Sequence, residues 1–206
     1  MTLASTYHLG CPVFNSKGWL GKLYHAKAPQ SDWLHEYAQV FNTVEGNGVF
    51  YGMPSRAAVQ RWIDATPDGF RFALKFPRAI SHEQRLTHAQ IETQQFLEIL
   101  EQLAQGDRLG PSFLQLGPQF SGADFPDLRK YLASLPRSFP FAVEVRHSDY
   151  FDDGPREQAL EALLAELEID RVILDSRPLF SARASDPAEE RSQSRKPKSP
   201  IRKVAL

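Results

Sequence analysis

The sequence predicts an α/β protein, a TIM-barrel-like (β/α)8 topology of parallel strands. Three observations predict it. Short apolar runs recur roughly every 30 residues. Stretches with helical periodicity separate them. Each run has one bulky apolar face and one face that ends in a polar residue. Strand and helix alternating at that spacing mark βα units, whose strands lie parallel.

The predicted strands cover residues 7–9, 40–45, 70–76, 112–116, 141–145 and 171–175. From Thr43 on, their centres (Thr43, Ala73, Leu114, Val143 and Ile173) lie 30, 41, 29 and 30 residues apart. The first predicted helix, 31–41, spaces Trp33, Leu34, Tyr37 and Val40 along one face. Ser55 is placed to cap a second helix, 56–66, with Val59, Trp62 and Ile63 inward. Thr87 is placed to cap a third, 88–103, whose stripe is Ile91, Phe96, Leu97, Leu100 and Leu103. Residues 124–135 and 155–167 supply two more.

Strand parity separates a barrel from an open sheet, because successive side chains point to opposite faces. Phe72, Leu74 and Phe76 share one face, and Ala73 and Lys75 the other. Val143 and Val145 likewise oppose Ala142, Glu144 and Arg146. Val44 opposes Glu45, Leu114 and Leu116 oppose Gln115, and Leu174 opposes Asp175. In a barrel the apolar face meets the helices and the polar residues gather at the C-terminal mouth. An open sheet buries both faces under helices and tolerates such charges less easily.

Composition excludes several classes. Hydrophobic residues are 42% and charged residues 24% of 206, which supports a packed core and argues against wholesale disorder. No run approaches the ~18 apolar residues of a membrane helix, and no basic-then-apolar leader opens the chain. The expected location is the cytoplasm. Cys11 alone cannot form an internal disulfide. The Gly46-Asn-Gly48 segment lacks dinucleotide spacing, and neither a Gly-x-Ser-x-Gly elbow nor His-Glu-x-x-His occurs.

The residues also resemble a family. The chain is similar to the YecE-like proteins (domain of unknown function 72), bacterial TIM-barrel proteins without an established activity. The likeness rests on Phe41-Asn-Thr-Val-Glu-Gly-Asn47 with Phe50-Tyr51, on Phe70-Arg-Phe-Ala-Leu-Lys-Phe-Pro77 with Ile80-Ser-His82, and on Leu109-Gly110 with Leu114-Gln-Leu116. It continues in Val143-Glu-Val-Arg-His147 and Arg171-Val-Ile-Leu-Asp-Ser-Arg-Pro178, with Gly10-Cys-Pro12 and Trp19 near the start. It implies a full barrel in a longer chain. Against that pattern the sequence supplies six strands, so the expectation is a barrel truncated after about six βα units. Residues 1–180 would form the partial barrel, with 17 basic and 22 acidic side chains. Residues 181–206, with 7 basic and 3 acidic, would be a basic loop leading toward a missing seventh strand. An incomplete barrel would favour oligomers, since it leaves strand edges open.

The candidate site is the polar set at the strand ends. Glu45, Lys75, Glu144 and Asp175, with His147, are the catalytic candidates. Asn47, Tyr51, His82, Gln115, Arg146, Arg177 and Trp19 are the ligand-binding candidates. One carboxylate could act as base and another stay protonated, while Lys75 acts as electrophile or nucleophile. The competing reading is an ion-pair network that fills the barrel, because buried charges need partners. Tyr51 and Trp19 are candidate wall residues for a planar ligand, whereas Phe50 and Phe76 read as core. No metal is assigned, since no His or Cys spacing suits zinc, and no cofactor is specified. The leading function is a hydrolase, lyase or isomerase acting on a small polar or phosphorylated ligand. One alternative is a nucleic-acid-binding or repair-like barrel that uses Tyr51 and the basic segment Arg195-Lys-Pro-Lys198. The other is a truncated copy with no activity of its own.

Overall fold

The computed structural model describes residues 7–175. Arg177, the segment 181–206 and the approach to a seventh strand lie outside the described residues. The described chain is mixed α/β with parallel strands. It divides into two compact units: residues 7–115 with 136–142, and residues 116–135 with 143–175.

In the first unit, β1 (Thr43–Gly46) pairs in parallel with β2 (Arg71–Leu74), with Val44 opposite Phe72 and Glu45 opposite Ala73. β2 then bridges in parallel to Leu109, and Lys75 beyond it to Phe113 of β3 (Ser112–Gln115). The parity read from the sequence appears as burial. Val44, Phe72, Leu74 and Phe76 are buried, Ala73 and Lys75 are half-buried, and Glu45 is exposed. Phe76 packs on Phe96 and Phe141 at ring-centroid distances of 4.6 and 5.7 Å.

The helices of this unit are α1 (Trp33–Tyr37), α2 (Gly48–Tyr51), α3 (Arg56–Asp64) and α4 (Gln90–Gln105). Ser55 caps α3 as expected, its side chain accepting from the Ala58 N–H at 3.2 Å. Thr87 does not cap α4: its hydroxyl turns back to the Gln84 carbonyl at 2.7 Å, and the helix starts at Gln90. Val40 and Ile91, expected on inward faces, are exposed. Val40 follows the end of α1, and Ile91 lies in the first turn of α4. α3 and α4 pack closely at Gly106, where a Cβ would lie 2.8 Å from Ile63 Cδ1.

Residues 7–9 are not a strand. The Asn42 side chain takes the role of a partner, accepting from the Leu9 N–H at 2.7 Å and donating to the Tyr7 carbonyl at 2.8 Å. Further along, Glu45 N–H donates to Cys11 O at 3.1 Å. Tyr37 ties the segment to β1, its hydroxyl accepting from Cys11 N–H at 2.6 Å and donating to Thr43 O at 2.9 Å. Burial raises the Tyr37 phenol to about 12.

In the second unit α5 (Phe125–Ala133) and α6 (Pro155–Leu167) each begin with a proline in the first turn. β4 (Phe141–Glu144) begins in the first unit, where Ser112 N–H donates to Pro140 O at the start of β3. In the second unit β4 lies beside β5 (Asp170–Arg171), and Leu116 N–H donates to Glu144 O. β5 is shorter than the sequence suggests. Its pairing with β4 ends at Val172 N–H on Val143 O, and Ile173 and Leu174 beyond it are exposed rather than buried.

Candidate functional site

The first unit collects polar side chains at the C-terminal ends of three strands. Glu45 lies at the end of β1, Lys75 follows β2, and Gln115 ends β3. The Lys75 ammonium donates to Gln115 Oε1 at 2.8 Å and sits 4.0 Å from the centroid of the Phe50 ring. A cation over an aromatic face is attracted by the ring quadrupole, by roughly 0.5–1 kcal/mol where water still reaches it. These two contacts position Lys75 between an amide and a ring. Glu45 is held separately: Asn47 donates to its Oε1 at 2.8 Å and to Pro12 O at 3.1 Å.

Phe50 is the hub of this group. The Tyr51 ring meets it edge to face at 5.0 Å, and the His82 ring at 5.2 Å. Tyr51 is 81% exposed. The sequence reads Phe50 as core. The structure leaves it half-buried, because the short helix α2 turns Val49 inward instead. A four-residue helix carries no periodic stripe, so its orientation has no signal in the sequence. Trp19 lies elsewhere, among Tyr24 and Tyr37 at 5.8 and 6.2 Å, and serves that aromatic cluster.

His82 comes from an unusual local fold. Residues Ala79–Glu83 form one π-helical turn, closed by Gln84 N–H on Ala79 O. Such turns recur at functional positions. Shortly after it, Arg85, Leu86 and His88 adopt φ of 48, 68 and 59°. Left-handed backbone at three non-glycine residues costs of order 1–2 kcal/mol each and persists only where the surroundings enforce it. Inside the turn the Ser81 hydroxyl lies 2.8 Å from His82 Nδ1.

The second unit arranges its candidates differently. Glu144 is 4% exposed, and Arg146 Nε donates to its Oε1 at 2.6 Å. His147 Nδ1 accepts from the Asp149 N–H at 3.2 Å and so caps the short turn Ser148–Tyr150. Asp149 accepts from the Gly122 N–H at 2.9 Å and from the Arg156 guanidinium. The Gly122 backbone bond, then the positive charges nearby, hold its carboxyl below the usual range despite some desolvation. Asp175 is exposed. Sequence reasoning does not select Asp149 or Arg156, whose tie to Gly122 joins segments far apart in the chain.

Among the described residues no group of three or more His, Cys, Asp or Glu side chains is disposed to hold a metal ion. No described helix is long and apolar enough to cross a membrane.

Comparison with known proteins places the chain in a family. A family model described as "Protein of unknown function DUF72" matches residues 8–205. The UPF0759 protein YecE of Escherichia coli K12 is 43% identical over 171 residues, which is 83% of this chain and 62% of YecE. The chain thus spans less than two thirds of the curated relatives it matches. A crystal structure of a DUF72 family protein from Enterococcus faecalis superposes with a TM-score of 0.64 at 26% identity, covering 82% of this chain and 60% of that one. A Thermotoga maritima DUF72 protein gives the same TM-score at 23% identity, covering 82% and 64%, and shows the likeness of fold alone. With the motifs around Glu45, Lys75, His82 and Glu144 inside the matched region, the chain belongs to the YecE-like DUF72 family.

Proposed function

We propose that this chain carries the ligand site of an enzyme-like, TIM-barrel-like protein, at the C-terminal ends of β1, β2 and β3. The ligand is a small polar or phosphorylated molecule, and the chemistry is of the hydrolase, lyase or isomerase kind. The order of the strands supports the barrel. Within the first unit β1 pairs with β2 and the β2 segment bridges to β3, and within the second β4 lies beside β5. A doubly wound sheet reverses its strand order at a switch point, whereas a barrel keeps sequential order.

The observation that carries the reading is the placement of Lys75 between Gln115 Oε1 and the Phe50 ring. An ammonium at a barrel mouth can hold a phosphate or carboxylate, or polarise a carbonyl. The half-buried Phe50 and exposed Tyr51 would cover the less polar part of the same ligand.

A thermal-shift titration tests this with inorganic phosphate, glucose 6-phosphate and citrate as probes. The expected result is a rise of several degrees for at least one probe. Ligand at a hundredfold its dissociation constant adds about 2.7 kcal/mol, and one kcal/mol moves the melting point of a chain this size by roughly 2–4 °C. Lys75→Met should cancel the rise. No shift with any probe, or an unchanged shift in Lys75→Met, overturns the reading. A salt-sensitive affinity for a single-stranded oligonucleotide that survives Lys75→Met would favour the nucleic-acid alternative.

A further inference from the structure

We propose that Glu45 and Asn47 form a second arm of the ligand site, one that accepts hydrogen bonds. Asn47 is a positioning residue that holds the Glu45 carboxylate for a hydroxyl or ammonium group on the ligand. The proposal rests on the ligand site described above and names its substrate class: a small anion that also carries a hydrogen-bond donor, rather than a bare anion.

The Asn47 carboxamide has two N–H protons and donates both, to Pro12 O at 3.1 Å and to Glu45 Oε1 at 2.8 Å. A carbonyl and an ionised carboxylate only accept, so the amide has one orientation. Turned over, its Oδ1 would face two acceptors. The backbone ties the same residues together: Asn47 N–H donates to Glu45 O at 2.9 Å, and Glu45 N–H to Cys11 O at 3.1 Å. The Asn47 side chain does not cap α2, which starts one residue later. Glu45 is thus held through Oε1, and its Oε2 takes no bond from any described residue. The residue is exposed, so that oxygen is open to a ligand.

Strand register puts this arm beside Lys75. Glu45 lies opposite Ala73 in the parallel pair of β1 and β2, so the two share a face, and Lys75 lies on that face two residues on. Strands about 4.8 Å apart, with a rise of about 3.3 Å per residue, set the Glu45 and Lys75 Cα atoms roughly 8 Å apart. Long side chains can close such a gap. Glu45 nevertheless forms no ion pair with any described residue, and the Lys75 ammonium reaches Gln115 and Phe50. An ammonium and a carboxylate held apart on one face match a ligand with opposite groups at its two ends, an anion for Lys75 and a donor for Glu45. A bare anion meets only repulsion from Glu45, so the same carboxylate selects against it.

Thermal-shift titrations of the whole chain with inorganic phosphate, glucose 6-phosphate and O-phosphoethanolamine test this. The last two add hydroxyls or an ammonium to the same phosphate group. At least one of them should bind about tenfold or more tighter than inorganic phosphate, as a hydrogen bond to a charged acceptor supplies. Glu45→Gln keeps an oxygen for Asn47 and puts an N–H2 where Oε2 stood, so it should erase that preference. Asn47→Ala leaves the carboxylate but releases it, and should cut the preference severalfold. Both variants should still respond to inorganic phosphate. Loss of that response in either would make the pair a structural contact and overturn the proposal. Equal affinity for all three probes, or a preference unchanged in Glu45→Gln, overturns it too and leaves the ligand site standing. A preference erased in Glu45→Gln but intact in Asn47→Ala overturns the positioning role of Asn47. No response to any probe overturns the site itself, and this arm with it.

Discussion

The two units answer the same sequence rule in opposite ways. Both place polar residues at the ends of strands. In the second unit the acids lie against arginines: Glu144 on Arg146, Asp149 on Arg156, and Glu157 and Glu161 on Arg171. In the first unit Lys75 is held by an amide and a ring, and Glu45 by an amide. Carboxylate–arginine pairs in a buried setting are self-satisfying and structural. An ammonium on an aromatic face is attracted by the ring quadrupole, and that contact neutralises no charge. The comparison teaches that charge at a strand end is not itself a sign of a site. The partner decides.

The strongest test of the contrast is Arg171→Met. The Arg171 side chain is 8% exposed and bonds Glu157 Oε1 at 3.0 Å. It also contacts Glu161, donates to Tyr150 O at 2.5 Å, and lies 5.1 Å from the centroid of the Phe151 ring. Removing it takes the guanidinium from Glu157, which keeps the Asp153 N–H, and from the half-exposed Glu161, and should cost about 2 kcal/mol. A urea titration reads the loss, and a cost below about 1 kcal/mol would make these pairs no more than surface contacts.

A smaller effect is expected at Asp149. Its folded carboxyl is held below the ordinary value, so its contribution to stability is present above the unfolded pKa of about 3.9 and fades as pH falls through the folded one. Asp149→Asn should therefore be less stable than wild type at pH 7, with the gap closing below about pH 4. Melting curves run from neutral to strongly acidic buffer check the sign. A gap that persists at the acid end would trace the loss to packing rather than charge.

The smallest stability effect belongs to Lys75→Met, expected within about 1 kcal/mol of wild type because the side chain is half-buried and its ring contact modest. Its ligand response should nevertheless vanish. A large loss of stability would put Lys75 in the same structural class as Arg171 and erase the contrast.

Particular residues show what can be read without coordinates. Phe72, Leu74 and Phe76 alternate with Ala73 and Lys75, and their burial follows that period. Ser55 before an amphipathic run marks its helix start correctly. Thr87 carries the same signal and misleads, since its hydroxyl finds a nearer carbonyl in Gln84. The 171–175 run has apolar composition, but burial of Ile173 and Leu174 depends on neighbours that composition does not specify. The π turn and the left-handed Arg85, Leu86 and His88 are illegible in sequence because none of these residues is the glycine or asparagine that usually marks such backbone. Lys75, Gln115 and His82 follow from strand ends and spacing. Their meeting around Phe50 does not, because it depends on how a four-residue helix is turned.

The stretch at residues 7–11 lies along β1 without becoming part of its ladder. Gly10 makes this feasible: any Cβ there would collide with the Thr43 carbonyl. Unpaired strand edges invite other chains to add to them, and native proteins blunt them. A ribbon fastened by the Asn42 carboxamide and the Tyr37 hydroxyl occupies that edge while offering no regular row of donors and acceptors of its own. The glycine at position 10 thereby lets the chain's own segment lie where another strand could otherwise add.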